Sequence, residues 1–127
     1  MSFTNFLETE ILDHVFAGAA YTAPSTKYLA LFTAIADGEA GSVTELSGNA
    51  YARQTVAFTT SGNTTSNNAA VEFPTATGSW GTVTHVGVYD ASTSGNLMAY
   101  ATLSASKAID TGDVFRVPSG DLDITLN

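Results

Sequence analysis

The chain of 127 residues is long enough for one domain with one core and too short to favour two. Twelve acidic side chains against four basic ones give a net charge of −8, which argues against nucleic acid and anionic membranes as partners, because both bind clustered cations. Charged residues are only 13% of the chain, so hydroxyls and amides must supply most of the polar surface, as suits a domain covered by neighbours in an assembly.

The absence of cysteine excludes disulfides, thiolate metal sites and a cysteine nucleophile. Residues Met1 to Asn5 carry no basic segment, and no apolar run approaches the ~18 residues of a membrane-spanning helix. We therefore expect neither a signal peptide nor a transmembrane helix, and we expect the protein to be made and kept in a cytoplasm until it is used.

The first predicted element is an amphipathic helix over about residues 4–17. Its apolar residues form one stripe, with a repeat of four residues and two neighbours beside it: Phe3, Leu7, Ile11 and Val15, with Leu12 and Phe16. Asn5 with Glu8 three residues later resembles a capping box, with Thr4 or Ser2 as alternative caps, and Gly18 is expected to end the helix. The chain offers no second helix, so this stripe must lie on a sheet or on another subunit.

A β-region is predicted over about residues 26–127. Its first strand, Lys27 to Thr33, is apolar on both faces, which is typical of a central strand. Residues Ala36 to Gly48 are predicted to be a long loop that carries a contact. Tyr51 to Phe58 is predicted to be a strand, Thr59 to Asn68 a solvated loop tip or an unusually polar edge, and Ala69 to Phe73 a short strand.

The most clearly predicted feature is a β-hairpin within Glu72 to Leu103. Residues alternate up to Tyr89, turn-forming residues occupy Asp90 to Asn96, and an apolar pattern resumes from Leu97. Trp80 lies between two glycines and is expected to cover an edge of the core, whereas His85 is expected to be seated in the strand. Both are therefore interpreted as scaffold residues.

Three short segments are predicted as strands after the hairpin: a weak one at Lys107 to Ile109, a second at Val114 to Val117, and a last one in which Leu122, Ile124 and Leu126 face the core. The fold class predicted is mainly β: a single-domain antiparallel β-sandwich, jelly-roll-like or Ig-like, of about seven to eight strands with one N-terminal amphipathic helix.

No catalytic, cofactor-binding or metal-binding residue is predicted. His14 and His85 have no ligand or partner at a suitable spacing, and no GxSxG elbow occurs. The carboxylate pairs fit turns and solvent faces better than a calcium site; they are Asp37 with Glu39, Asp110 with Asp113, and Asp121 with Asp123. The tyrosines and Trp80 fit core packing better than a sugar platform. We therefore expect a protein without enzymatic activity.

Five segments carry a resemblance to a known family. They are Leu12 to Gly18, Ala20 to Pro24, Tyr28 to Ala34, Asn49 to Gln54 and Trp80 to Asp90. In them the chain resembles small proteins encoded among the structural genes of tailed bacteriophages, which are described as structural, tail-fibre-like or head-decoration proteins. The shared motifs are scaffold-like, so the resemblance implies a virion component and transfers no active residue.

The resemblance, the charge-poor surface and the lone helix together lead to the hypothesis of a capsid decoration or cement protein. It would lie on the outer capsid surface of the virion, as a homotrimer that contacts the major capsid protein and other virion proteins. Contacts to the capsid or to a sister subunit are expected from Phe3, Phe6, Leu7, Glu39, Val43 and Leu46. The alternatives are a tail or head fibre-base component and a carbohydrate-binding adhesin module.

Overall fold

One helix and eleven strands make up the computed structural model, which describes residues 1–127. In chain order they are β1 (Ser2–Phe3), α1 (Asn5–Phe16), β2 (Lys27–Asp37), β3 (Ser42–Glu45), β4 (Gln54–Val56), β5 (Phe58–Ser61), β6 (Thr64–Asn67), β7 (Val71–Glu72), β8 (Gly81–Tyr89), β9 (Leu97–Ile109), β10 (Arg116–Val117) and β11 (Asp123–Thr125). The prediction of a mainly β fold with one N-terminal helix is confirmed. Strands outnumber the predicted seven to eight, since several are only two or three residues long.

The largest sheet has six strands in the order β1-β9-β8-β2-β3, with β4 also paired to β2. Its centre is the predicted hairpin: β8 and β9 are antiparallel, with Val88 opposite Ala99 and Gly87 opposite Tyr100. The prediction of a separate strand at Lys107 to Ile109 is wrong. These residues are the end of β9, which pairs with the start of β8 beyond an irregularity in the register. The hairpin is thus longer than its sequence pattern indicates.

Two smaller antiparallel sheets, β10-β7 and β11-β6-β5, cover one face of the large sheet. Residues of both layers meet in one core, where Leu29, Leu31 and Val86 of the large sheet join Val71 and Val117 of a small one. This arrangement is sandwich-like, as predicted. Because each small sheet is too short to bury a core of its own, the large sheet is the platform on which the rest of the chain packs.

The strand β2 is buried on both of its faces, as its sequence predicts. Leu29 and Leu31 point into the main core, whereas Ala30 and Phe32 join a second cluster on the opposite face, and all four are 0% exposed. Packing on that opposite face is close: a Cβ on Gly87 would lie 2.6 Å from side-chain atoms of both Phe32 and Leu97. Only glycine fits this position of β8 without displacing its neighbours.

Trp80 covers the edge of the main core, as expected. The residue is 5% exposed, and its ring packs edge-on against Tyr51 with centroids 5.6 Å apart. Its Nε1–H donates to the carbonyl of Asn49 at 2.8 Å. His85 is half-buried within β8, where its Nδ1 lies 2.7 Å from the hydroxyl of Thr84. Both side chains are placed by the strand and its flanking turn.

The prediction of a long loop at Ala36 to Gly48 is wrong for Ala36, Asp37 and Ser42–Glu45, which lie in strands. β2 continues to Asp37, a turn follows, and β3 returns alongside it, with Ile35 opposite Val43. The glycines of the turn interrupt the apolar pattern, so the short β-compatible runs on either side of it are not evident in the sequence. Of the contact residues expected in this segment, Val43 is therefore held in a paired strand, whereas Glu39 lies in the turn and Leu46 follows β3.

The segment Thr59 to Asn68 is the hairpin β5–β6 and not a loop tip. β5 lies at the edge of its sheet, in agreement with the alternative prediction of a polar edge, whereas β6 also pairs with β11. Hydroxyl pairs replace apolar contacts there: Thr60 to Thr65 at 3.0 Å and Thr64 to Thr125 at 2.9 Å. Asn67 is 2% exposed and its amide is fully used, since it donates to two carbonyls and accepts from the N–H of Leu122. Hydrogen bonding, not burial of apolar surface, holds this hairpin.

Other strand boundaries are narrower than predicted. The predicted strand at residues 51–58 is regular only in β4 before β5 begins, residues 69–73 contribute only β7, and residues 114–117 contribute only β10. Leu122 is buried, but Leu126 lies beyond the end of β11 and is 55% exposed, so its predicted place in the core is wrong.

Candidate assembly surface

The N-terminal end of α1 is fixed to the large sheet by Thr4, which is 1% exposed and caps the helix. Its hydroxyl donates to the carbonyl of Leu97 at 2.6 Å, and its backbone N–H donates to Met98 at 2.9 Å. The next N–H, of Asn5, donates to the carbonyl of Glu39 in the turn between β2 and β3. The start of the helix is thus tied to two separate parts of the fold.

The C-terminal end of α1 is held only locally. Gly18 adopts a φ of 74°, and the N–H groups of Ala17 and Ala19 both donate to the carbonyl of Asp13. The Nδ1 of His14 accepts a hydrogen bond from the N–H of Tyr21 at 3.2 Å, which folds the following segment back along the helix. No residue of α1 is fully buried.

The helix is apolar on two opposite faces. Phe6 and Leu7 pack against the main core. Leu12, Val15 and Phe16 point the other way, since successive residues turn by about 100° around a helix, and they are 56%, 60% and 82% exposed. Of the five large hydrophobic residues exposed in the chain, three lie on this outward face. The single stripe predicted from the sequence is therefore wrong.

A mainly apolar groove of about 360 Å³ lies on the inner side of the helix, between α1 and the small sheet β11-β6-β5. Its walls include Phe3, Leu7, Tyr21, Met98 and Ile124. The structure thus brings Phe3 and Leu7, two of the six residues expected to make contacts, to one partly open site.

The other expected contact residues lie apart from this groove. Glu39 accepts a hydrogen bond from the hydroxyl of Tyr100 at 2.6 Å, and this bond raises the pKa of Tyr100 to about 12. Val43 packs beside the second core cluster on the opposite face of the sheet. Leu46 is 8% exposed and offers little surface to a partner. Phe6 is half-buried against the core.

A partly buried ion pair joins Arg53 to Glu45. The Nε and Nη2 of Arg53 each donate to Glu45 at 2.8 Å, while its Nη1 donates to the carbonyls of Ala91 and Ser94. Its guanidinium carbon lies 3.6 Å from the ring centroid of Tyr89. These contacts pin the loop between β8 and β9 against β3.

The same ion pair organises Tyr51. The hydroxyl of Tyr51 donates to Glu45 at 2.8 Å and accepts the N–H of Leu31 at 3.1 Å. Burial of the ring, together with the charge of Glu45, raises the pKa of Tyr51 well above its ordinary value. Burial lowers the pKa of Arg53, but the hydrogen bonds and charge of Glu45 outweigh it, so that pKa is raised. With its hydrogen bonds satisfied internally, the cluster acts as a structural clamp.

The predicted carboxylate pairs occupy turns and a strand face. Asp113 accepts from the N–H of Asp110 at 2.9 Å, Asp37 accepts from the N–H of Ala40 at 3.3 Å, and Asp123 accepts from the hydroxyl of Ser66. No group of three or more histidine, aspartate or glutamate side chains is placed to hold a metal ion. The helix is too short and too polar to cross a membrane.

The chain matches the model of a known protein family. The model of the family described as podophage GP4 fiber I protein gp80 matches residues 2–125. No curated protein matches the chain. The family match includes the helix, its outward face and every strand of the three sheets.

Proposed function

The chain belongs to the family described as podophage GP4 fiber I protein gp80, and on this premise we propose that it is a non-enzymatic structural component of a phage fibre. The family is one of tailed-phage virion structural proteins, so the chain is located in the virion. The observation that carries the fibre assignment is the family match over residues 2–125, which includes the whole folded unit and not only one motif.

The outward face of α1 is the surface that we propose for assembly. The exposed surface of Leu12, Val15 and Phe16 together equals that of about two complete side chains. Burial of this surface against a partner would contribute about 3–6 kcal/mol to the free energy of association. Exposed apolar side chains do not stabilise an isolated domain, whereas their burial against a neighbouring protein stabilises an assembly. The candidate partners of this face are other virion proteins and sister copies of this chain.

Capsid decoration, with the major capsid protein as the partner, is the second candidate. The low content of charged residues, 13%, supports it because such a surface suits a protein covered by neighbours on several sides. The two candidates differ in copy number and position. A decoration protein covers the head, whereas a fibre component occupies only the sites at which fibres attach.

Quantitative mass spectrometry of purified particles, with antibody labelling in electron micrographs, tests these assignments. For a fibre component we expect few copies relative to the major capsid protein and label confined to fibres or their base. Label spread evenly over filled heads would replace the fibre assignment by decoration. Absence of the chain from purified particles would refute a virion role of either kind.

A further inference from the structure

The charged residues beside the outward face of α1 are both acidic. Glu8 lies at its N-terminal end and Asp13 along one side, and both are exposed. His14 is the only basic residue of the helix, and it lies on the inner side, where its Nδ1 accepts from the N–H of Tyr21. The apolar patch of Leu12, Val15 and Phe16 therefore has a negative border and no cation of its own.

A second copy of this chain has few cations to place against that border. Arg53 is bound to Glu45 with its side chain only 6% exposed, and Arg116 lies 3.8 Å from Glu72. Lys27 is half-buried in the groove on the inner side of the helix. The cations that a copy could offer are therefore the exposed Lys107 and Arg116, whose side chain is 55% exposed. Two copies would also bring together net charges of −8 each.

We propose that the outward face of α1 binds a different virion protein, one that presents an apolar patch bordered by lysine or arginine side chains. This inference rests on the proposed function, because it names the partner of the same surface. Matching the acidic border with basic side chains selects such a partner and disfavours self-association, since opposite charges attract across an interface and like charges repel. The apolar centre supplies the contact area, and the border supplies the selectivity.

Photo-crosslinking in assembled virions tests the identity of the partner. A benzophenone amino acid replaces Leu12, or as the matched control Thr93 in the exposed loop between β8 and β9, and the linked peptides are identified by mass spectrometry. We expect the probe at residue 12 to link a peptide that contains lysine or arginine and comes from another virion protein. A link to a copy of this chain, a linked peptide without basic residues, or no more linking than at residue 93 would overturn the inference.

Removal of the acidic border tests the role of charge separately. The double variant Glu8→Gln with Asp13→Asn should lower incorporation into particles by about 2- to 30-fold, as expected for the loss of two exposed ion pairs. The control variant Asp110→Asn with Asp121→Asn removes two acids elsewhere and should leave incorporation unchanged. Circular dichroism verifies that both variants keep the helix. Equal incorporation of the two double variants would overturn the role of the border.

Failure of this inference is distinguishable from failure of the proposed function. If purified virions contain the chain but it is crosslinked to sister copies, the virion role stands and the basic partner is wrong. If purified virions lack the chain, the proposed function itself is wrong.

Discussion

Replacing Trp80 by alanine removes the largest side chain at the edge of the main core. The residue is 5% exposed, its ring contacts Tyr51 edge-on, and its Nε1–H is bonded to the carbonyl of Asn49 at 2.8 Å. Loss of the ring should cost about 3–5 kcal/mol of unfolding free energy through lost burial and the resulting cavity. Because Asn49 is exposed, water can replace the lost donor, so the hydrogen bond adds little to that sum.

Urea unfolding followed by circular dichroism measures this loss, because Trp80 is the only tryptophan and its fluorescence disappears with the mutation. Trp80→Phe is the matched control: it keeps an aromatic ring but lacks the N–H donor, so it should retain most of the stability lost in Trp80→Ala. For a domain of this size, 3–5 kcal/mol corresponds to a fall in melting temperature of roughly 10–20 °C. An unchanged melting temperature in the alanine variant would refute the placement of Trp80 as a core residue.

Three further substitutions test other parts of the fold. Arg53→Ala leaves Glu45, which is 24% exposed, without its partner. The free energy of unfolding in urea should fall by about 2–4 kcal/mol, less than for a fully buried pair. Arg53→Lys keeps the charge and is the control, and a smaller loss in Arg53→Ala than in Arg53→Lys would contradict the clamp. The pKa of Tyr100 is raised from 10.0 to about 12 chiefly by its bond to Glu39, so the stability from its protonated hydroxyl is complete below about pH 10 and is lost as the pH rises towards 12. Unfolding free energies measured across this range should fall less in Tyr100→Phe than in the wild type, and parallel curves would exclude the bond. Gly87→Ala forces a Cβ to 2.6 Å from two buried side chains and should cost about 1–3 kcal/mol, which an unchanged urea midpoint would disprove.

The parts of the fold that were predictable from the sequence are those in which apolar periodicity is strong. The alternation around Val86 and Val88 predicts β8, and the two-sided apolar run Leu29 to Phe32 predicts a central strand; the structure contains both. The helix between its cap at Thr4 and its end at Gly18 was predicted to within one residue at either side. In each of these elements, local preference and burial favour the same structure.

Elsewhere the stabilising contacts are long-range and leave no local pattern. The hairpin β5–β6 contains almost no apolar residue. Thr64 bonds to Thr125, 61 residues later, and the buried amide of Asn67 bonds to Pro118 and Leu122, 51 and 55 residues later. The clamp between Glu45 and Arg53 depends on a loop carbonyl 38 residues later, at Ala91. Neither set of contacts can be read from spacing along the chain.

The candidate surface was only partly predictable. Periodicity shows that α1 is apolar, but it cannot show that the helix meets the sheet through Phe6 and Leu7 alone, because Thr4 and Asn5 fix its start against distant strands. That anchoring fixes which face of the helix meets the sheet. Leu12, Val15 and Phe16 lie on the opposite face and are exposed, which the apolar pattern alone does not indicate.

The anchoring of β1 and Thr4 to β9 also has a consequence for the order of folding. The carbonyls that Thr4 bonds belong to residues 93 and 94 positions later in the chain. During synthesis at about 5–20 residues per second, β1 and α1 therefore wait for several seconds to tens of seconds before β9 emerges. Contacts of such high sequence separation form late because closing the loop costs entropy first. The helix that we propose for assembly is thus made well before β9 and docked only after it, so its apolar residues stay uncovered on a ribosome-bound chain until β9 emerges.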